Sequence, residues 1–283
     1  MQTLRETIKD AVNNRVALGH FNISTIDALW GVAFAAKNVG VPIIIGLSEG
    51  EREFFGIRQA VLATKSISKE LGIPMFVNAD HTYSFEKVKE AIDFGADSVI
   101  FDGTKLSSEE RVAITKKCVA YARASGRDVL VEGELGYIGQ SSKILDEIPE
   151  GIERTEPKEA EEFVKETGVD MLAPAVGNIH GILKNVSNPR LDIARIQEIK
   201  KRIGLPLVLH GGSGISDDDF SAAIKAGISI IHINTEIRVA WKNILVKNLE
   251  ENPEEVAPYK IMKGIKEEIA HIVEKRLRLF YKK

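Results

Sequence analysis

Residues 205–219, LPLVLHGGSGISDDD, form the stretch of sequence that decides the fold. The apolar run at 205–209 has the continuous hydrophobic character of a strand buried on both faces of a parallel sheet. A glycine-rich turn follows at once, and Ser216 with three aspartates then provides the cap and acidic first turn that favour a helix. The stretch therefore predicts one strand–turn–helix unit, in which a parallel strand leads directly into a covering helix.

The same unit recurs along the rest of the chain. Residues 41–46 and 228–233 are also almost continuously apolar, and Gly72, Gly95 and Gly204 stand where a helix is expected to end before the next strand. Such runs predict eight strands, near Val16–Asn22, Pro42–Leu47, Pro74–Ala79, Asp97–Asp102, Asp128–Glu132, Asp170–Val176, Pro206–His210 and Ser229–Asn234. Eight strands alternating with helices predict an α/β fold of the (β/α)8 (TIM) barrel type. An open, doubly wound sheet stays the alternative, because periodicity alone does not separate the two.

The length of 283 residues suits one domain, since α/β barrels occupy roughly 250 residues. We predict a single domain over residues 1–283, with the barrel at about 15–250. Thr3–Asn14 is predicted to be an additional helix that closes the bottom of the barrel. A charged C-terminal helix is predicted within Pro258–Lys283, at about 258–280. Two roles stay open for it, packing on a neighbouring subunit or exposure to solvent.

Composition and charge exclude several classes of protein. The formal net charge of -3 gives no basic surface for nucleic acid or an anionic membrane. No apolar run approaches the ~18 residues of a membrane span, and the charged N-terminus lacks a signal-peptide core. Cys118 is the only cysteine, and its helical setting predicts a buried structural thiol without an internal disulfide. These features predict a cytoplasmic enzyme.

Side chains that can do chemistry are concentrated where the predicted strands end, which is where such barrels place their active sites. His81, His180 and His210 follow the third, sixth and seventh strands, each beside a glycine or an acid. Three neutral imidazoles with one open position make a catalytic zinc site, and a barrel mouth brings together residues that are distant in sequence. The sequence therefore predicts zinc bound by these three residues. His20 is predicted to be a core or mouth residue, and His271 a surface residue.

The turn at residues 211–214, GGSG, has backbone N–H groups and a hydroxyl without obstructing side chains. Such a turn at the start of a helix suits a phosphate group. Barrel enzymes frequently hold phosphate in the loop after strand seven or eight. We predict a phosphate site here, and a tight turn without a ligand is the alternative.

At these residues the chain resembles the class II, metal-dependent fructose/tagatose-bisphosphate aldolase family. The matching motifs are ADH at 79–81, GNIHG at 177–181 and LHGGSG at 209–214, in that order. The likeness runs from GHFN at 19–22 to the last barrel helix. It implies a zinc-dependent lyase that cleaves a ketose 1,6-bisphosphate, by default fructose 1,6-bisphosphate, to dihydroxyacetone phosphate and glyceraldehyde 3-phosphate. It also implies a homodimer or homotetramer.

The resemblance implies roles for individual residues. The three histidines would hold the zinc, and Asp80 would be the acid/base at the bond that breaks or forms. Asp102 and Glu132 match positions that form a second metal position or orient the metal-binding histidines. A monovalent cation, Na+ or K+, would lie near the phosphate of dihydroxyacetone phosphate. The cradle for that phosphate would consist of Gly181, Gly211, Gly212, Ser213, Asn234 and Thr235.

Aldol chemistry agrees with these residues. Cleavage leaves negative charge on an enediolate, which zinc stabilises as a Lewis acid while a carboxylate such as Asp80 relays the hydroxyl proton. A Schiff-base aldolase would instead need a lysine in the mouth. Residues 172–177 at the end of the sixth strand contain none, and only Lys105 closely follows a strand. The sequence therefore favours the metal-dependent route.

The chain departs from the family pattern at His232, where relatives carry an asparagine that contacts the bound substrate. We interpret His232 as a hydrogen-bonding replacement, with a substrate contact or an extra metal ligand as alternatives. A second departure is the loop at 136–150, where the family has an acid that takes the carbon-bound proton of dihydroxyacetone phosphate. Residues 140–142 are QSS here, so Asp146 and Glu147 become the candidate loop acids.

The arginine that binds the second phosphate has no clear match, and Arg276 and Arg278 are the candidates. The stereochemistry of the sugar is not encoded by any motif, so tagatose bisphosphate or a related phosphoketose is an alternative substrate. A metal-dependent sugar-phosphate isomerase or epimerase and a non-catalytic sugar-phosphate binder are the other functions that stay open.

Overall fold

The computed structural model describes residues 2–139 and 142–283. Its strands in chain order are β1 (Leu18–Asn22), β2 (Ile43–Leu47), β3 (Met75–Thr82), β4 (Ser98–Phe101), β5 (Leu130–Leu135), β6 (Ile144–Leu145), β7 (Met171–Pro174), β8 (Ile182–Leu183), β9 (Leu207–Leu209) and β10 (Ile228–Ile233). Within this described part, eight strands close into a barrel in the order β1-β10-β9-β7-β5-β4-β3-β2. The short strands β6 and β8 form a separate two-stranded sheet beside it.

Closure depends on β1, which pairs in parallel with both the last strand and the second. His20 is the register partner of His232 on one side and of Ile44 on the other. An open sheet would leave β1 or β10 with a free edge in place of this pairing. The predicted (β/α)8 barrel is therefore confirmed.

Helices cover the outside of the barrel and begin at the caps that the sequence indicates. The side-chain hydroxyls of Ser84 and Ser216 accept hydrogen bonds from the backbone N–H groups of Lys87 and Asp219. The helices are α1 (Leu4–Asn14), α2 (Ile26–Val39), α3 (Glu49–Phe55), α4 (Ile57–Leu71), α5 (Phe85–Phe94), α6 (Ser108–Ala124), α7 (Pro157–Thr167), α8 (Ile193–Ile203), α9 (Asp217–Ala226), α10 (Thr235–Glu251), α11 (Pro258–Ile261) and α12 (Ile265–Tyr281). None of those in the described part of the chain has both the length and the apolar character needed to cross a bilayer.

The N-terminal helix α1 closes the bottom of the barrel, as predicted. Thr3 caps it through a capping box with Glu6, which fixes where the helix starts. Leu4 and Ile8 of α1 belong to one buried cluster with the inward-facing side chains of the strands, among them Ile44. The apolar barrel interior is thereby sealed at the end opposite the strand termini that carry the site.

The C-terminal segment differs from the prediction of one helix that is solvated or packed on a neighbouring subunit. Gly264 adopts a left-handed conformation (φ 89°) between α11 and α12 and so separates the two. One face of α12 is fully buried against the chain's own core, through Ile265, Ile269, Val273, Leu277 and Phe280. Helix α12 packs mainly on α2 and α10. Both proposed roles are therefore wrong for that face, which completes the helical layer.

Two strands extend beyond their predicted ends, and both extensions lie at the mouth of the barrel. Strand β3 ends at Thr82 rather than at Ala79, and β5 ends at Leu135 rather than at Glu132. The chemistry-bearing residues after the predicted ends thus belong to barrel strands. Cys118 is fully buried on α6, as predicted.

Candidate active site

A cavity opens at the C-terminal mouth of the barrel, where the sequence places the candidate residues. Its walls come from strand ends and from the segments that follow them. Of the predicted site residues, those lining it are Asp80, His81, Asp102, His180, Gly181, His210, Gly211, Ser213, His232, Asn234 and Thr235. Gly212 and Glu132 lie behind this surface: Gly212 donates its backbone N–H to the His232 carbonyl at 3.0 Å, and Glu132 is 1% exposed.

Nitrogen atoms of the three predicted metal-binding histidines converge in the cavity. His81 Nε2 lies 3.2 Å from His210 Nδ1. One ring nitrogen from each of these residues and from His180 lies within 4.8 Å of the other two. Zinc–nitrogen bonds of about 2.0–2.1 Å in tetrahedral geometry place two ligand nitrogens roughly 3.3 Å apart. The 3.2 Å separation of His81 Nε2 and His210 Nδ1 therefore fits two ligands of such an ion.

The second ring nitrogen of each histidine is bound to a protein acceptor, which fixes the orientation of the ring. The distances are 2.9 Å from His81 Nδ1 to Asp102 Oδ2, 2.8 Å from His180 Nδ1 to the Gly139 carbonyl oxygen, and 2.8 Å from His210 Nε2 to Glu132 Oε1. Metal-binding histidines typically have such partners, because the partner fixes the tautomer and makes the free nitrogen more basic. Asp102 and Glu132 thus orient two of the three imidazoles.

Electrostatics at the cavity also suit a cation. Burial lowers the pKa of His180 to about 3, so that its ring is neutral, as metal binding requires. Burial also lowers the pKa of His81, but this is outweighed by nearby carboxylates, which raise the pKa well above its usual value. The carboxylates are Asp80, Glu134 and Asp102. The same negative charge that favours a proton on His81 would favour a metal cation in its place.

Asp80 lies beside this group and is buried, with 3% of its surface exposed. Asn22 Nδ2 donates a hydrogen bond to Asp80 Oδ2 at 2.9 Å, whereas Oδ1 has no hydrogen-bond partner among the described residues. Burial alone would raise the pKa of Asp80, but His81 and His232 lower it well below its usual value. The carboxyl group is therefore ionised and has one oxygen free to accept a proton.

His232 stacks between two other histidines. Its ring is parallel to that of His20 at 3.4 Å between centroids, and it stacks on His210 at 4.0 Å. Its Nδ1 lies 3.5 Å from Asp80 Oδ1. His20 is fully buried below it and contacts Asn78 Oδ1 at 3.3 Å, so it is a core residue at the floor of the mouth. The structure thus brings His232 to the site next to the predicted acid/base.

The glycine turn after β9, where the sequence predicts a phosphate site, is tightly packed. Gly211 has φ +60°, and a Cβ atom there would lie 2.2 Å from the Ile179 carbonyl oxygen, so no larger residue fits. The Ser213 hydroxyl accepts hydrogen bonds from the backbone N–H groups of Asn234 and Glu236 at 3.3 Å each. The turn after β9 is thereby fixed against the N-terminus of α10.

Sequence reasoning missed several residues that line the cavity. Glu134 is 7% exposed, and its Oε2 lies 3.6 Å from His81 Nδ1. It could have been found from the two-residue period of a strand, which puts Glu132 and Glu134 on the same inward face of β5. Arg238, on the first turn of α10, is the only arginine or lysine among the described lining residues. Its Nη2 contacts Glu51 Oε1 at 2.6 Å.

The structure does not bring the other predicted residues to the cavity. Asp146 and Glu147 are exposed, because β6 pairs with β8 and the loop after it faces solvent. Of residues 140–142, at the position of the family's loop acid, Gln140 and Ser141 lie outside the described residues, whereas Ser142 lines the cavity and accepts a hydrogen bond from Arg238 Nη1 at its carbonyl oxygen, at 3.3 Å.

Arg276 pairs with Glu236 and Asp217, and Arg278 pairs with Glu274. Neither arginine lines the cavity. Arg238, one turn into α10, occupies the mouth in their place.

A (β/α)8 barrel with convergent imidazoles, neighbouring carboxylates and a glycine-rich turn at its mouth is typical of metal-binding barrel enzymes. Comparison with known proteins is more specific. The family model described as "Fructose-bisphosphate aldolase class-II" matches residues 2–283. Fructose-bisphosphate aldolases from Geobacillus stearothermophilus and Staphylococcus aureus are each 37% identical over 281 residues, which cover 98% of this chain and 96% of theirs. The chain belongs to the class II fructose-bisphosphate aldolase family, and the aldolase prediction is confirmed.

Solved structures agree with this membership. The YdjI aldolase from Escherichia coli K12 matches with a TM-score of 0.82 and 28% identity, covering 99% of this chain and 97% of its own. A putative fructose-1,6-biphosphate aldolase from Coccidioides immitis matches with a TM-score of 0.82 and 27% identity, covering 97% and 94%. The family is metal-dependent and acts on a phosphorylated sugar.

Proposed function

We propose that the chain catalyses the reversible cleavage of fructose 1,6-bisphosphate to dihydroxyacetone phosphate and glyceraldehyde 3-phosphate. Zinc is held by His81, His180 and His210. The observation that carries this proposal is the convergence of three imidazole nitrogens whose opposite ring nitrogens are all bound to the protein. When bound, zinc acts as a Lewis acid for the negative charge that develops next to the breaking carbon–carbon bond.

Asp80 is the acid/base of the reaction. Its free Oδ1 accepts the proton of the sugar hydroxyl during cleavage and returns it to the aldehyde oxygen during condensation. Asn22 keeps the carboxylate in place through Oδ2. The ionised state of Asp80 supports the role of base in the cleavage direction.

The phosphate of the dihydroxyacetone half binds at the turn after β9 and at the N-terminus of α10. Gly181, Gly211, Ser213, Asn234 and Thr235 line the cavity there, with Gly212 behind them fixing the turn. A monovalent cation accompanies this phosphate in our proposal. Its support is Asn234 Oδ1, which is buried without a hydrogen-bond partner among the described residues and is an oxygen donor of the kind that Na+ and K+ bind.

Arg238 binds the phosphate at the other end of the substrate. Four carboxylates line the described cavity, namely those of Glu49, Asp80, Asp102 and Glu134, against this single arginine. Arg238 is the only arginine or lysine among the described lining residues, so it is the group that matches the second phosphate. The metal and Arg238 together make the cavity complementary to a substrate with two phosphates.

The carbon-bound proton of dihydroxyacetone phosphate needs a separate acid/base. We assign it to Glu134, because this carboxylate lines the cavity and its Oε2 has no hydrogen-bond partner among the described residues. Asp146 and Glu147 stay as the alternative if the loop at 136–150 folds over the bound substrate.

The direct test is release of triose phosphates from purified, zinc-loaded protein, with fructose and tagatose 1,6-bisphosphate as parallel substrates. We expect release from the fructose isomer, and a higher rate with the tagatose isomer would correct the sugar while leaving the aldolase in place. Interconversion of ketose phosphates without triose release would identify an isomerase or epimerase. Tight binding without turnover under any metal would identify a sugar-phosphate binder.

We also propose that the chain forms a homodimer or homotetramer. Apolar side chains stay exposed on α10 and in the segment after it, at Val246, Leu249 and Val256. Such side chains are commonly covered in an assembly when they cluster. Light scattering on the purified protein should give a mass of two or four chains, and a monomer at micromolar concentration would contradict this.

A further inference from the structure

The side chains at the end of β3 break the alternation that a strand imposes. Successive strand residues point to opposite faces. Phe76 packs in the barrel interior, and Val77 and Ala79 pack in the outer core beneath the helices, so Asp80 points inward as the alternation requires. His81 should then point outward, yet its Nε2 lies in the same cavity, 3.9 Å from Asp80 Oδ1.

The backbone explains how this happens. Ala79 pairs with Val99 and Thr82 pairs with Phe101, so three steps along β3 face two steps along β4. One extra residue is therefore accommodated in β3, which is the definition of a β-bulge. His81 has φ +38°, in the left-handed region that non-glycine residues seldom occupy.

The left-handed conformation of His81 does not come from a position at the end of a helix. Two other non-glycine residues of the described chain have positive φ, Arg15 and Lys282, and both are C-caps of helices, where this conformation is common. A left-handed residue inside a strand persists only when its surroundings hold it there. A specific contact with the bulge is therefore required.

Arg52, on α3, makes that contact. Its Nη1 donates to the carbonyl oxygen of Asp80 at 2.8 Å, and its Nη2 donates to Thr82 Oγ1 at 2.9 Å. The guanidinium group thus forms hydrogen bonds to β3 on both sides of His81. Nη1 also donates to the carbonyl oxygen of Leu47 at the end of β2, which ties the bulge to the neighbouring strand. Arg52 is 7% exposed, so these bonds are shielded from water.

We infer that Arg52 is a positioning residue for the aldolase reaction: it holds the bulge that turns His81 into the same cavity as Asp80. The inference rests on the proposed roles of Asp80 and His81. The planar guanidinium group of arginine suits this task, because its N–H donors have fixed directions and can bond to acceptors on two sides at once. A lysine has the same charge but is a point donor on a flexible stem, so it does not hold both sides of His81.

The test compares Arg52→Lys with Arg127→Lys. Arg127 is the matched control, because its guanidinium also donates to two backbone carbonyls, those of Ile92 and Ala96, but far from the mouth. Zinc affinity of the metal-free proteins is measured by competition with a chromogenic chelator. We expect Arg52→Lys to bind zinc roughly 10–100-fold more weakly, as found when partners of metal ligands are changed. Arg127→Lys should bind zinc as the unchanged protein does.

Kinetics and spectroscopy separate positioning from a general loss of stability. Arg52→Lys should lower kcat with little change in KM, because the phosphate contacts lie on other elements, and it should alter the visible spectrum of the Co2+-substituted protein. Thr82→Val, which removes one acceptor of the guanidinium group, should shift zinc affinity in the same direction. Zinc affinity, kcat and Co2+ spectrum all unchanged in Arg52→Lys would overturn the inference.

A structural measurement keeps the inference testable without the metal. In a crystal structure of metal-free Arg52→Lys, we expect His81 to leave the positive-φ region and its ring to leave the cavity. A ring that stays beside Asp80 with φ near +38° would overturn the inference. Failure of the unchanged protein to bind zinc would contradict the proposed function instead, and this crystal structure would still decide the role of Arg52.

Discussion

Each histidine of the proposed metal site has one nitrogen bound to the protein and one facing the cavity. This arrangement means that the three residues act as a set, since removing one leaves only two nitrogens for the ion. Asp80 is different, because it lies beside the nitrogens but its carboxylate is hydrogen-bonded to Asn22 and lies 3.5 Å from His232 Nδ1. Metal binding and proton transfer should therefore be separable by mutation.

Replacing His180 with alanine should abolish both zinc binding and turnover. Two imidazoles do not complete a site that needs three protein ligands and an open position. Metal content by atomic emission should fall from one zinc per chain to a small fraction. His271→Ala is the control, because His271 is an exposed histidine on α12, and it should keep both properties. Full activity in His180→Ala would refute the ligand assignment.

Replacing Asp80 with asparagine should leave zinc bound and lower turnover by about 10²–10⁴-fold, the usual contribution of a general acid/base. Asparagine keeps the size of the side chain and an acceptor for Asn22, so the fold of the mouth is preserved. Steady-state kinetics and metal analysis on the same sample provide the comparison. Near-normal turnover with zinc present would show that another group handles the hydroxyl proton.

Glu134→Gln should slow exchange of the carbon-bound proton of dihydroxyacetone phosphate with solvent deuterium by about 10²-fold or more. The buried amide has the shape of the carboxyl group but neither accepts nor gives that proton. The matched control is the double variant Asp146→Asn/Glu147→Gln, whose side chains are exposed. Loss of exchange in the double variant, with Glu134→Gln unaffected, would return the role to the loop.

The sequence predicts the site residues that stand directly after a strand in a recognisable motif. Of the predicted site residues in ADH, GNIHG and LHGGSG, all except Gly212 line the cavity. Glu134 was missed because β5 continues past its predicted end, and hydrophobicity does not mark a strand whose inward side chains are charged. Arg238 was missed because it lies in the first turn of a helix, and nothing in the sequence indicates that an arginine there faces the cavity.

Among the secondary-structure elements, α12 shows what periodicity does and does not reveal. Ile265, Ile269, Val273 and Leu277 recur every fourth residue, which predicts an amphipathic helix with a buried face. The pattern does not say what covers that face. In the structure it is the chain's own α2 and α10, and the break at Gly264 gives α12 the direction it needs to reach them.

Leu277→Ala should lower the free energy of unfolding by about 2–5 kcal/mol, the range found for leucine truncation in a packed core. Leu277 is fully buried, so truncating its side chain leaves a cavity and removes packing contacts that water does not replace. Leu62→Ala on α4 is the control, since that leucine is 58% exposed, and its effect should stay within about 0.5 kcal/mol. Urea unfolding of both variants provides the measurement. Equal, small effects would show that α12 is not part of the core.

In the whole molecule, barrel closure brings residues from distant parts of the chain into one site. His81 and His210 are 129 positions apart in sequence, yet their ring nitrogens are 3.2 Å apart. The barrel was predictable because each strand–helix unit carries its own local signal of apolar run, turn and cap. The interior geometry of the mouth was not, because it depends on strand lengths, a bulge and contacts between elements that are far apart in sequence.

We propose that this barrel cleaves a ketose bisphosphate with a metal held by three histidines. The measurement that decides this is the rate of triose-phosphate release from fructose 1,6-bisphosphate before and after metal removal by a chelator, and again after zinc is returned. We predict that activity is lost with the metal and recovers fully at one zinc per chain. Triose-phosphate release that persists in metal-free protein would contradict the claim.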